Sequence, residues 1–325
     1  MKILIIQTAF IGDVILATAL IEDIRQSHPQ AEIHFLLRKG NESLLEHHPH
    51  LQKIWIWNKK QKFKSQIQII RQLRKQQYDL TLNLQRYFSS GIFSLFSKSK
   101  RIIGFNKNPL STFFTESKPH EFVPGIHEID RNHALISSLV HSPAQRPKLY
   151  PTAQHWAQTS QYKTHKYIVM APTSVWFTKQ WPVHKWIQLC SEAPSDFHIF
   201  LVGAPADTTI CQQIATQSQN FNVHVLTGKL SLLHTAALMA DAHLNIVNDS
   251  APLHLASAMN APVAAIFCST SPTFGYTPLS DKKYIIQANS ALDCHPCGIH
   301  GHKTCPKQHY RCAEDIATRQ ILSLL

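Results

Sequence analysis

Apolar residues in this chain fall into short runs rich in Ile, Val and Leu, separated by longer stretches in which they recur at helical spacing. The runs at Lys2–Ile6, 32–37, 80–84 and Arg101–Phe105 read as strands, and 13–27 reads as a helix between the first two. After a polar, proline-containing stretch at 142–166 the pattern starts again. Strands are expected at 167–170, 199–202, 223–226, 244–247 and 263–267, with helices near 183–190, 207–217, 231–240 and 252–259. Alternation of this kind predicts mostly parallel sheets covered on both faces, an α/β architecture. Two Rossmann-like, doubly wound halves facing a central cleft would bind ligands at the carboxyl ends of their strands. No internal repeat stands out in the residues themselves.

A length of 325 residues with 44% hydrophobic content is enough for two cores. The expected division is 1–155 and 156–325. Thirty-two Lys and Arg against 20 Asp and Glu give a net charge of +12, which favours an anionic partner: nucleic acid, an acidic membrane surface or a phosphorylated substrate. The opening MKILIIQTAFIGDVILATAL imitates a signal peptide, but Gln7 and Gly12-Asp13 interrupt its apolar core and Lys2 is its one basic residue. No other stretch is apolar enough to span a bilayer, so a soluble, cytoplasmic protein is expected. Seven cysteines then read as reduced thiols or metal ligands rather than disulfides.

Several segments carry candidate chemistry. QTAFIGDVI has one glycine where a dinucleotide fold wants three, which weakens an oxidoreductase reading. Gly12 is expected to turn the backbone into the helix, leaving Asp13 at its start as either a dipole-favoured acid or a general base. In APTSVWFTKQWPVHKW, Lys179 lies in a loop with Thr173, Ser174 and Thr178, a set of donors suited to phosphate. In HLNIVNDSAPLHLASA, Asn248, Asp249 and Ser250 end a strand, and Pro252 suits the first turn of the next helix. Free amides there make an anion site to which Ser250 and His254 can add donors, whereas Asp249 is expected to cap the helix or to accept bonds from a sugar.

The stretch 58–76 holds seven Lys and Arg and no acid. It reads as an amphipathic helix with Ile67, Ile70 and Leu73 inward, or as a surface for acidic glycolipid and the anionic inner leaflet. No nucleic-acid-binding motif accompanies it, and no nucleic-acid partner is expected. In the tail CHPCGIHGHKTCPKQHYRC, Cys294, Cys297, Cys305 and Cys312 have spacings that can close a structural Zn or Fe site.

Taken in order, ILIIQTAFIGDVILATALIEDIRQSHP, TKQWPVHKW, LTGKLSLLHTAALMADAHLNIVNDSAPLHLASA and APVAAIFCSTSPTFGYTP resemble the bacterial ADP-heptose:lipopolysaccharide heptosyltransferases, glycosyltransferase family 9. The cysteine-rich tail is most similar to the heptosyltransferase II branch. The resemblance implies a GT-B arrangement with the lipopolysaccharide inner-core acceptor on the first domain and ADP-heptose on the second. It also implies that Asp13 is the catalytic carboxylate, that Lys179 contacts phosphate and that Ser174 contacts the diphosphate. The family's Asp-Ser/Thr-Gly-x-x-His motif falls on Asp249, Ser250 and His254, with Ala251 where glycine is usual. Gly203 and Asp207 match a segment near the adenosine, and Gly228-Lys229 a Gly-Lys pair before a helix. Inverting transfer needs a base and positive charge for the leaving diphosphate, and no Asp-x-Asp cluster suggests Mg²⁺, so no cofactor is expected for catalysis. The alternatives are an ADP-sugar transferase with another acceptor, such as protein, and a nucleotide-binding oxidoreductase.

Overall fold

The computed structural model describes residues 1–325, the side chain of Lys62 excepted. Its chain divides into two compact units, one of residues 1–122 with 126–150 and one of 123–125 with 151–325.

The first unit runs β1 (Lys2–Ile6), α1 (Ile11–Ser27), β2 (Glu32–Arg38), β3 (Lys53–Trp57), α2 (Lys62–Arg74), β4 (Leu80–Asn83), α3 (Phe88–Phe96), β5 (Arg101–Phe105), β6 (Glu116–Lys118) and α4 (Glu128–Ala134). Its six strands are ordered β3-β2-β1-β4-β5-β6 and all pair in parallel. Strand β1 is central: Ile3 registers with Ile33 on one side and Leu80 on the other, and Ile3 to Ile6 are fully buried. A strand buried on both faces needs apolar residues at every position, which is why the sequence shows a run rather than an alternation. Leu4, Ile6, Leu36, Trp55, Trp57, Ile69, Leu73, Tyr78 and Phe93 form one cluster under α2 and α3. Helix α2 buries Ile69 and Leu73, while Ile67, expected inward, is exposed. Its basic stretch also includes Lys62, whose side chain lies outside the described residues.

The second unit runs α5 (Ala153–Thr159), β7 (Tyr167–Ala171), α6 (Val183–Glu192), β8 (His198–Leu201), α7 (Thr208–Gln217), β9 (Val223–Val225), α8 (Leu232–Ala240), β10 (Leu244–Asn248), α9 (Ala251–Ala258), β11 (Val263–Ile266), β12 (Lys283–Ile286), α10 (Arg311–Glu314) and α11 (Arg319–Leu322). The order is β12-β11-β10-β7-β8-β9, again parallel throughout. Renumbered within each unit, both sheets read 3-2-1-4-5-6, the dinucleotide-fold order. Trp181 and Trp186 are buried in the second core, edge to face at 5.2 Å, and the Trp186 indole donates to Trp181 O at 3.1 Å. Among the described residues, no helix is long and apolar enough to cross a membrane.

Candidate active site

In such sheets ligands bind where the strand order reverses, outside the carboxyl ends of the two strands that flank the reversal. In the first unit those strands are β1 and β4. The chain leaves β1 through a loop fixed by Gln7, whose Oε1 accepts from Ala9 N at 3.2 Å and from the Gln85 amide beyond β4. Asn41 donates to Ala9 O at 3.0 Å, and the Arg38 guanidinium lies over the Phe10 ring at 4.9 Å. Helix α1 starts at Ile11, two residues before the expected position, with Phe10 extended as its N-cap. Gly12 therefore sits inside the first turn and is not among the glycines with positive φ, so the turn belongs to Ala9 and Phe10 rather than to Gly12.

Asp13 projects from that first turn, partly exposed, with Oδ2 accepting from Phe10 N at 3.2 Å. Burial, and after it the neighbouring Glu128 carboxylate, push its carboxyl from 3.8 up to about 6, against the lowering effect of the Phe10 and Asp13 amides and of Arg38. Glu128 is itself buried, which favours its neutral form. His120, at 3.2 Å, and the Arg131 Nε, at 2.7 Å, nevertheless hold its carboxyl below the usual value. Glu128 and α4 carried no signal in the apolar pattern. Nor did α3, the helix Phe88–Phe96 that packs against β4 within the stretch LQRYFSSGIFSLF, uninterpretable as sequence.

In the second unit the reversal lies between β10 and β7. Asn248, the last residue of β10, is fully buried and binds both sides of the loop after β7. Its Nδ2 donates to Pro172 O at 2.9 Å and its Oδ1 accepts from Trp181 N at 2.9 Å. Between those anchors a 3₁₀ turn, Phe177–Lys179, presents Lys179. The Lys179 Nζ lies 2.7 Å from Asp249 Oδ2, which also accepts from Thr270 Oγ1 at 2.6 Å. The two side chains are 15% and 7% exposed, so the ion pair is mostly desolvated. This corrects the expected capping role of Asp249: its carboxylate holds Lys179, and Ser250 is the N-cap of α9. Ser250, Ala251 and the buried His254 stand at the start of α9, with Thr173 and Ser174 half-buried in the β7 loop. Thr178 is instead buried, its hydroxyl engaged by His302 N at 2.7 Å and Ser269 Oγ at 3.0 Å, and so faces the tail rather than a phosphate.

Further along the same edge, Asp207 Oδ2 accepts from Ala204 N at 2.7 Å and caps the turn after β8. Gly228, at φ +70, packs against Pro205 and donates to Gly203 O at 3.0 Å, bringing Gly203, Asp207, Gly228 and the exposed Lys229 into one corner. Candidate residues thus follow the carboxyl ends of β10, β7, β8 and β9 in spatial order. Three inter-strand steps of about 4.8 Å give that row a length of roughly 14 Å.

The structure lends no support to the metal centre expected in the tail. Among the described residues, no three or more His, Cys, Asp or Glu side chains are placed to hold a metal ion. Cys297 Sγ turns back to Cys294 O at 3.1 Å, Cys294 lies 3.7 Å from His309 Nε2, and Cys312 is buried in α10, its thiol pushed up to about 12 by burial and then by the neighbouring Cys297, Cys305 and Cys294.

Two doubly wound units, each with its polar residues at the reversal of strand order, define a two-domain α/β enzyme of the GT-B class. The model of glycosyltransferase family 9 (heptosyltransferase) matches residues 66–311, and the chain belongs to that family. It is 28% identical to lipopolysaccharide heptosyltransferase 3 of Escherichia coli over 283 residues, 82% of this chain and 83% of the relative. It is 27% identical to lipooligosaccharide heptosyltransferase 2 of Haemophilus ducreyi over 315 residues, 88% of each. Among solved structures it matches the E. coli ADP-heptose lipopolysaccharide heptosyltransferase II with a TM-score of 0.81 at 20% identity, over 100% of this chain and 97% of that one.

Proposed function

We propose that this lipopolysaccharide heptosyltransferase transfers heptose from ADP-L-glycero-D-manno-heptose, with inversion, to the inner core of lipopolysaccharide, at the second heptose position. The observation that carries the donor assignment is the mostly buried Lys179–Asp249 pair beside the N-terminus of α9: a fixed ammonium at the positive end of a helix suits a diphosphate. The relatives named above act at more than one heptose step, and the similarity of the cysteine-rich tail to the heptosyltransferase II branch favours the second.

In this reading Asp13 accepts the proton of the attacking core hydroxyl, a task that suits a carboxyl titrating at about 6 rather than 3.8. As the acceptor oxygen bonds to the anomeric carbon, the bond from that carbon to the ADP oxygen breaks. Lys179, the Ala251 amide at the start of α9 and Ser250 take up the charge that develops on the diphosphate. Thr173, Ser174 and His254 supply further donors, and the corner at Gly203, Asp207, Gly228 and Lys229 receives the adenosine.

The basic face of α2 and its flanks, with exposed Lys60, Lys64, Arg71, Arg74 and Lys75 beside Phe63 and Ile67, supports peripheral binding to the anionic inner leaflet. Sedimentation with phosphatidylglycerol but not phosphatidylcholine vesicles is the expected outcome. The transfer itself is tested by a donor screen that follows ADP release with defined core acceptors. Turnover is expected with ADP-heptose and an acceptor bearing one heptose; turnover only with a heptose-free core, or only with another nucleotide sugar, would overturn the reading.

A further inference from the structure

We infer that the tail segment 294–310 is a positioning strap for Lys179, with Tyr310 and Gly301 as the points through which it acts. The inference rests on the reading of Lys179 as the diphosphate ligand. The β7 loop is irregular and partly exposed, and the strap supplies holds on both sides of the lysine. The Tyr310 hydroxyl shares its proton between Phe177 O, at 3.0 Å, and Gln180 O, while its ring stacks on Phe177 at 5.1 Å. The His302 backbone makes two bonds to Thr178: Thr178 N donates to His302 O at 3.1 Å, and His302 N donates to the Thr178 hydroxyl Oγ1 at 2.7 Å. Residues 177, 178 and 180 are therefore fixed from the tail, and 179 has little choice of direction.

Gly301 makes the closest approach. It has φ +72, and a Cβ there would stand 3.0 Å from Lys179 Cγ and 2.9 Å from Thr178 Oγ1, so the strap lies against the lysine stem itself. The same strap grips the other half of the ion pair. Cys297 N donates to Ser269 O at 2.7 Å and His295 Nε2 donates to Thr270 O at 3.0 Å, next to the Thr270 hydroxyl that binds Asp249. Tyr310 also adopts a left-handed backbone, φ 48, which a non-glycine residue holds only where its surroundings impose it. A lysine on four rotatable bonds gains most in the transition state when its geometry is fixed in advance, and the strap supplies that fixation.

The test is a double-mutant cycle read by ADP release from ADP-heptose with a core acceptor, using the full chain. Tyr310→Phe keeps the stacked ring and removes the hydroxyl; it is expected to lower kcat about 5- to 20-fold, with acceptor KM unchanged. In a Lys179→Ala background the same change should cost less than about twofold, because the residue it positions is gone. An equal loss in both backgrounds, or no loss in the native one, overturns the strap. If Tyr310→Phe unfolds the chain, Thr178→Ser and Thr178→Val decide: the serine variant should keep activity and the valine variant lose it in a Lys179-dependent way, and equal activity of the two overturns the strap. Full activity of Lys179→Ala overturns the diphosphate reading and the strap together, whereas an impaired Lys179→Ala with a normal Tyr310→Phe overturns the strap alone.

Discussion

The two units repeat one strand order, and each sets an aspartate beyond a strand at the reversal, yet the two carboxylates live in opposite surroundings. Asp13 is held by a backbone amide, with Glu128 as a neighbouring like charge, and its carboxyl is pushed up to about 6. Asp249 is held 2.7 Å from the Lys179 ammonium and accepts the Thr270 hydroxyl. The scaffold decides where a polar group stands; the loops decide what that group can do. One aspartate becomes a group that can take a proton near neutral pH, and the other a counter-ion that fixes a cation.

The largest expected effect separates the two aspartates by chemistry. Asp13→Asn keeps the volume and part of the capping contact, and should lower kcat by about 10²–10⁴ in steady-state ADP release. Next comes Lys179→Ala, which leaves the first unit untouched and removes the ammonium proposed to hold the diphosphate. A loss of roughly 2–4 kcal/mol in the transition state corresponds to tens to a thousandfold in rate, and near-native kinetics would remove Lys179 from the site. A smaller effect appears in pH profiles of kcat/KM. Activity should fall about tenfold per pH unit below about 6 as Asp13 is protonated. Glu128→Gln removes a like charge and should shift that limb to lower pH; an unmoved limb would detach Glu128 from Asp13.

The smallest effect concerns stability and has a definite sign. The Asp13 carboxyl is raised in the fold, so its contribution to stability is fully present below 3.8 and lost as pH rises through about 6. Above that pH the charge, beside the Glu128 carboxylate and partly desolvated, opposes folding, and asparagine carries no such charge. Thermal melts of Asp13→Asn at pH 8 should therefore match or exceed the native midpoint, within the roughly 1 kcal/mol that the capping contact can offset, and the advantage should shrink at pH 4. A variant much less stable at pH 8 would make Asp13 a structural acid.

Periodicity exposed the strands that are buried on both faces, because burial forces an unbroken apolar run, as in Lys2–Ile6 and Leu244–Asn248. It missed the edge strands β3, β6 and β12, whose partial exposure mixes Lys and Glu into the run, and α3, where serines interrupt the aromatic residues. The shared strand order was invisible because topology leaves no trace in residue identity. Lys179 and the α9 start were legible from turn and helix chemistry, but their partnership was not. The 2.7 Å contact joins residues seventy positions apart, and it is Asn248, buried between two loops, that brings them together. The cysteine spacing invited a metal; the hydrogen bonds of the same segment to the Lys179 loop, such as Thr178 N to His302 O, are encoded by no spacing rule.

The division of labour between the units is tested most directly by calorimetric titration of ADP into Asp13→Asn and Lys179→Ala. Asp13→Asn should bind ADP with a Kd within about twofold of the native protein, and Lys179→Ala should bind at least about tenfold more weakly, the loss of one charge-assisted contact. Weak ADP binding by Asp13→Asn together with native binding by Lys179→Ala would contradict the account.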